Sequence, residues 1–109
     1  MKPNHLSCAK GIKIVGKKDE IKNKHNFILQ KYLSNPHLLR GFKYDLRIYI
    51  LVTSIDPLVA YMYQDGLVRM ATQPYSNNAD TLKERFMHLT NYSVNKNAEN
   101  FIKNDNQES

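Results

Sequence analysis

Between Gly41 and Val52 the chain reads Gly-Phe-Lys-Tyr-Asp-Leu-Arg-Ile-Tyr-Ile-Leu-Val, a stretch that makes physical sense as a β-strand. Side chains alternate across a strand, so Lys43, Asp45 and Arg47 share one face. Tyr44, Leu46, Ile48, Ile50 and Val52 share the other. The apolar face is expected to pack. The charged face sets cation, anion and cation in register, an arrangement suited to a bound polyanion.

The chain has 109 residues and is 41% hydrophobic, enough for one modest core, so it reads as one domain or a piece of one. Lys and Arg number 16 against 10 Asp and Glu, a formal charge of +6, which favours anionic partners. Cys8 is the single cysteine, which excludes an internal disulfide and a cysteine-based zinc site and fits a reducing compartment. With no signal peptide and no apolar run of bilayer length, the chain reads as soluble and intracellular, without a membrane partner. Met1 stands directly on Lys2-Pro3 with no lead-in strand, so a piece of a longer protein is expected.

Further strands are expected at Ile12 to Val15 and Phe27 to Leu33, the latter ended by Ser34-Asn35-Pro36. After a strand from Lys43 to Ser54, Asp56-Pro57 turns the chain. Leu58 to Tyr63 and Leu67 to Thr72 then read as two strands around an Asp65-Gly66 hairpin, completing an antiparallel meander. Asp80-Thr81 caps a short helix in which Leu82, Phe86 and Leu89 share a face. Gly16 to Asn26 is a Lys/Asn-rich connection, and residues 97–109 form a polar tail expected to be disordered. The expected fold class is α+β, mainly antiparallel sheet with one short helix.

Lys2, Lys31, Lys43, Arg47 and Arg69 could meet successive phosphates if their strands share a face, since neighbouring strands lie roughly 5 Å apart. A solvated basic surface with cross-strand ion pairs accounts for the same residues. Ser7-Cys8-Ala9-Lys10-Gly11-Ile12 places small residues before a strand, as a phosphate-cradling loop would, but does not match the P-loop. Gln30-Lys31-Tyr32-Leu33 reads either as an amphipathic strand or as backbone and lysine offered to a base edge. His88-Leu89-Thr90-Asn91-Tyr92-Ser93 reads as a C-terminal cap and turn. His5, His25, His37 and His88 lack ligand spacing, and no carboxylate cluster suited to magnesium is present, so no metal ligands are assigned. The tyrosines fit strand alternation and no RNA-binding motif occurs, so nucleic acid is not an expected partner.

Taken in order, Lys2-Pro3 with Ser7 and Gly11-Ile12, Gln30-Lys31-Tyr32, Lys43 to Arg47, Gly66-Leu67-Val68-Arg69 and Arg85-Phe86-Met87-His88-Leu89-Thr90-Asn91-Tyr92-Ser93 closely resemble the tubulin–tyrosine ligase-like family. The last of these is most similar to its polyglutamylase branch. The resemblance covers residues 1–96 and implies the central segment of an ATP-grasp domain. By that resemblance, ATP would be bound by Lys2, Cys8, Ala9, Gly11, Gln30, Lys31, Tyr32, Leu33, Lys43, Tyr44, Asp45, Thr90 and Asn91. Arg47 and Arg69 would face the reacting end as catalytic residues, and Arg69, Tyr92 and Ser93 would hold incoming glutamate.

The implied reaction is ATP-dependent addition of free glutamate to glutamate side chains in acidic tubulin tails through an acyl phosphate. Magnesium is the second implied cofactor, its Asp, Glu and Asn ligands expected outside this chain. The implied location is cytoplasmic, on the microtubule cytoskeleton, including cilium or flagellum. Cys8 and Ala9 depart from the family pattern of Arg or Gln followed by Gly. This polypeptide alone is expected to be catalytically incompetent. The alternative is a non-catalytic basic module that binds acidic tubulin tails or nucleotide.

Overall fold

The computed structural model describes residues 1–7, 9–17, 21 and 26–103. Cys8, His25, much of the Lys/Asn-rich connection and residues 104–109 of the tail lie outside the described residues.

A long antiparallel hairpin dominates. Its strands β4 (Phe42–Ile55) and β5 (Leu58–Pro74) are rich in β-branched and aromatic residues, which suit a pleated surface. Asp56-Pro57, joined by a cis peptide bond, connects them. A short strand, β3 (Leu38–Leu39), pairs with the start of β4. The turn between them is Arg40-Gly41, with φ of 51° and 83°; positive φ at both central positions defines the tight hairpin turn whose twist matches paired strands. In a separate two-stranded sheet, β1 (Lys2–Pro3) pairs with β2 (Phe27–Ile28). After β5 come a 3-10 turn at Ala79–Thr81 and two short helices, α1 (Arg85–His88) and α2 (Tyr92–Asn95).

The expected meander is corrected. Leu58 to Pro74 is one strand, and Asp65-Gly66 makes no hairpin. Ile48 pairs with Gly66 but Ile50 pairs with Met62, so Tyr63, Gln64 and Asp65 stand opposite Tyr49 alone in a bulge. A Cβ on Gly66 would lie 2.6 Å from the Arg47 carbonyl oxygen. The glycine therefore serves a close backbone approach and not a turn.

Ile12 to Val15 is not a strand, although Lys13 exchanges backbone hydrogen bonds with Met1. β2 stops at Ile28, leaving Gln30 to Leu33 outside the ladder. The single expected helix is two short α-helices and a 3-10 turn. Thr81 Oγ1 donates back to the Asn78 carbonyl at 2.8 Å, and Glu84 is extended with ψ of 91°, which separates the turn from α1.

The expected core is also corrected. Among the described residues the buried apolar side chains are Pro3, Ala9, Ala71 and Val94, joined by the polar His88, Thr90 and Asn95. Leu46, Ile48, Ile50 and Val52, expected to pack, are exposed. The radius of gyration is 16.8 Å, against about 13 Å for a compact domain of this length.

Candidate functional site

α1 and α2 fold across the base of the hairpin and set His88 and Thr90 against the charged face of β4. Asp45 stands directly opposite Arg69 in the ladder. Its two carboxylate oxygens accept from Arg69 Nε and Nη2, each at 2.7 Å, the two-pronged geometry a guanidinium offers a carboxylate. Thr90 Oγ1 donates to Asp45 Oδ2 at 2.8 Å. Burial alone would raise the Asp45 pKa, but hydrogen bonds from Arg69 and Thr90 and the charges of Arg69 and Arg47 outweigh it and hold the carboxyl below its ordinary value. The hydrogen bond to Asp45 raises Arg69 in turn.

Lys43 Nζ donates to the Tyr32 hydroxyl at 3.2 Å and to the His88 carbonyl oxygen at 3.0 Å. Burial lowers its pKa, and Asp45 offsets this only in part. Lys43, Arg47 and Arg69 surround a single carboxylate, so the cluster keeps an excess of positive charge with which to meet an anion.

Two residues outside the predicted site hold this cluster. The Asn95 amide oxygen accepts from the Thr72 backbone N–H at 3.0 Å and Thr72 Oγ1 at 2.9 Å. Its amide nitrogen donates to the carbonyls of Leu89 at 2.7 Å and Asn91 at 3.1 Å. One buried side chain thus clamps the 89–91 segment to β5 and sets where Thr90 points. The available signal was the four-residue spacing from Asn91 to Asn95, legible once that run is taken as helix. His88, expected in a cap, is instead buried behind Lys43.

The remaining predicted residues divide as follows. Ala9 is buried with φ of 60°, and its carbonyl accepts from Arg85 Nη2 at 3.1 Å. Gly11 has φ of 70° and lies against Pro3. Cys8 lies outside the described residues. Lys2 is exposed on β1, and Gln30, Lys31 and Leu33 are exposed between β2 and β3. No hydrogen bond among the described residues ties Lys31 to the cluster. Tyr44 lies on the opposite face of β4, with its hydroxyl 3.1 Å from His37 Nδ1. Arg47 is exposed with its guanidinium 5.8 Å from the Tyr49 ring centre. The Asn91 carbonyl accepts from the backbone of Val94 and Asn95, Tyr92 meets Phe101 edge-on, and the Ser93 carbonyl accepts from Asn97 Nδ2. The structure therefore forms two adjoining hydrogen-bonded sets, Tyr32 with Lys43, and Arg69 with Asp45 and Thr90.

Two hollows flank this group. One of about 620 Å³ lies between residues 12–15 and α1 and is lined in part by Arg85 and His88. The other, about 860 Å³, is an open trough along the hairpin that takes in Arg47, Tyr49 and Arg69. Among the described residues, no cluster of His, Cys, Asp or Glu could hold a metal ion, so a resident magnesium does not fit these residues alone. No described helix is long and apolar enough to cross a membrane.

Fold and cluster together define an α+β module built on a charged strand pair. The model of the tubulin-tyrosine ligase family matches residues 1–109, and the chain belongs to that family. It is 45% identical to tubulin polyglutamylase TTLL7 of Mus musculus over 109 residues, covering 99% of this chain and 12% of the relative. It is 42% identical to tubulin polyglutamylase TTLL5 of Homo sapiens, covering 99% of this chain and 8% of the relative. Against tubulin polyglutamylase TTLL6 of Mus musculus the identity is 49%, over 93% of this chain and 12% of the relative. The chain thus spans only a small fraction of the length of the curated relatives it matches.

Proposed function

We propose that this chain is part of an ATP-dependent ligase that adds glutamate to glutamate side chains of tubulin tails. The observation that supports this reading best is the convergence of Lys43, Asp45, Arg69 and Thr90 from three separate segments: Arg69 and Thr90 hydrogen-bond Asp45, and the Lys43 ammonium, held by the His88 carbonyl, lies close enough to feel the Asp45 charge, leaving surplus positive charge. In the proposed reaction ATP phosphorylates a side-chain carboxylate, and the amine of free glutamate displaces the phosphate from the acyl phosphate. All three reactants are anionic, so fixed cations lower their mutual repulsion and orient them.

In this reading the segment belongs to an ATP-grasp domain covering residues 1–96. Lys43 meets the phosphates, and Asp45 and Thr90 close on the nucleotide, with Lys2, the residue 8–11 loop, Gln30 to Leu33 and Asn91 completing its site. Arg47 lies toward the reacting end. Arg69, whose fork already grips one carboxylate, takes the amino acid with Tyr92 and Ser93. Magnesium would be held by residues outside these 109, so the chain alone is proposed to be incompetent for turnover. The proposed location is the microtubule cytoskeleton.

The reading is tested with the longest natural protein that carries this segment, supplied with ATP, labelled glutamate and an acidic tubulin-tail peptide. Label should enter the peptide with release of ADP. Arg69→Ala should abolish incorporation while ATP binding persists, and Lys43→Ala should weaken ATP binding itself. Peptide binding that weakens with salt, with neither ADP release nor incorporation, would replace the ligase by the non-catalytic module.

A further inference from the structure

His88 is 2% exposed, yet both ring nitrogens have partners. Nε2 lies 2.9 Å from the Thr81 carbonyl oxygen, which can only accept, so Nε2 carries a hydrogen. In the neutral ring Nδ1 is then an acceptor, and the Tyr32 hydroxyl, 2.9 Å away, donates to it. With its proton committed, the Tyr32 oxygen presents lone pairs to Lys43 Nζ at 3.2 Å. A single tautomer thus gives one direction to the whole chain, from Lys43 through Tyr32 and His88 to Thr81.

The groups facing the imidazole are Lys43 from β4, Glu84 before α1, Tyr32, and Tyr75 after β5. Burial first, then the Thr81 carbonyl, Lys43 and Glu84, act on the ring; burial and Lys43 win and favour its neutral form. Tyr75 meets the ring edge-on at 5.4 Å and neighbours the Tyr32 phenol. Its own hydroxyl donates to the Ser34 carbonyl at 2.9 Å. Lys43 has a flexible stem and a compact ammonium, and two of its acceptors, the Tyr32 oxygen and the His88 carbonyl, belong to this network or to His88 itself.

We propose that His88 is a positioning residue: as the Nε2–H tautomer it orients the Tyr32 phenol, which with the His88 carbonyl aims the Lys43 ammonium at an anionic ligand. The proposal rests on the nucleotide reading above, and it gives His88 a role distinct from capping α1.

The test uses the longest natural protein carrying the segment and measures ATP affinity in wild type, Tyr32→Phe, Lys43→Ala and the Tyr32→Phe/Lys43→Ala double variant. Tyr32→Phe keeps the ring and removes only the hydroxyl, and it should weaken ATP about tenfold, the scale of one hydrogen bond to a charged group. The double variant should bind no more weakly than Lys43→Ala, because the phenol acts through the lysine. Nitrogen-15 NMR of the imidazole should show the hydrogen on Nε2, and Tyr32→Phe should shift the Nδ1 resonance. Unchanged affinity in Tyr32→Phe, strictly additive losses, or a hydrogen on Nδ1 would overturn the assignment while leaving the nucleotide reading intact. Wild-type protein that does not bind ATP would overturn both.

Discussion

The base of the hairpin and its far arm are made by the same two strands, but different forces organise them. At the base, Asp45, Arg69, Thr90, Lys43, His88 and Asn95 lock several segments together through directed hydrogen bonds. Among the described residues no buried side-chain nitrogen or oxygen lacks a partner. Along the arm, apolar side chains face solvent on both sides of the ribbon, with Ile55 86% and Met62 68% exposed. The contrast teaches that tertiary geometry here is set by polar groups that would be costly to orphan, because little apolar surface is buried to set it.

The comparison breaks most readily at Asn95. Asn95→Ala takes the side-chain partner from the Thr72 N–H and the Leu89 carbonyl in a buried place and should cost about 3 kcal/mol, read as a fall in the denaturant midpoint. Gly66, at the border of the two regions, comes next. A methyl there collides with the Arg47 carbonyl, so Gly66→Ala should cost about 2 kcal/mol, with amide exchange accelerating on both strands beside the bulge.

The Asp45 pair is partly exposed, so Asp45→Asn should cost only about 1 kcal/mol after allowing for solvent screening. Acid should act on the same region. His88 is lowered from 6.5 and Asp45 from 3.8; a depressed pKa in the folded state gives stability that is present above the ordinary value and lost as pH falls below it. The base should therefore loosen first below pH 6.5 and again below 3.8, while the arm, titrated by neither group, follows passively. At the arm, Leu51→Thr should change stability by less than about 0.5 kcal/mol. A larger loss would show that the arm is buried in solution and would erase the contrast.

The local rules of strand and turn made much of this legible. Alternation from Lys43 to Arg47 correctly set three charges on one face, and Asp56-Pro57 correctly marked the turn between the long strands. Asp65-Gly66 misled because the same dipeptide serves a hairpin and a bulge, and only cross-strand register distinguishes the two. The pairings of Asn95 with Thr72 and of His88 with Tyr32 stayed hidden because the partners lie 23 and 56 residues apart in sequence. No local pattern reports such pairings. Tyr44, Leu46, Ile48, Ile50 and Val52 promised a packed face on periodicity alone, but periodicity states which side chains share a face and not what covers it.

The long ribbon also has two unprotected edges. Between Ile48 and Val68 the only charged residues are Asp56 and Asp65, and no lysine stands guard along the strands as edges commonly require. Away from its base, no strand among the described residues pairs with the outer main-chain N–H and C=O groups of either strand. A strand that came to lie alongside would be recruited by backbone geometry more than by side-chain identity.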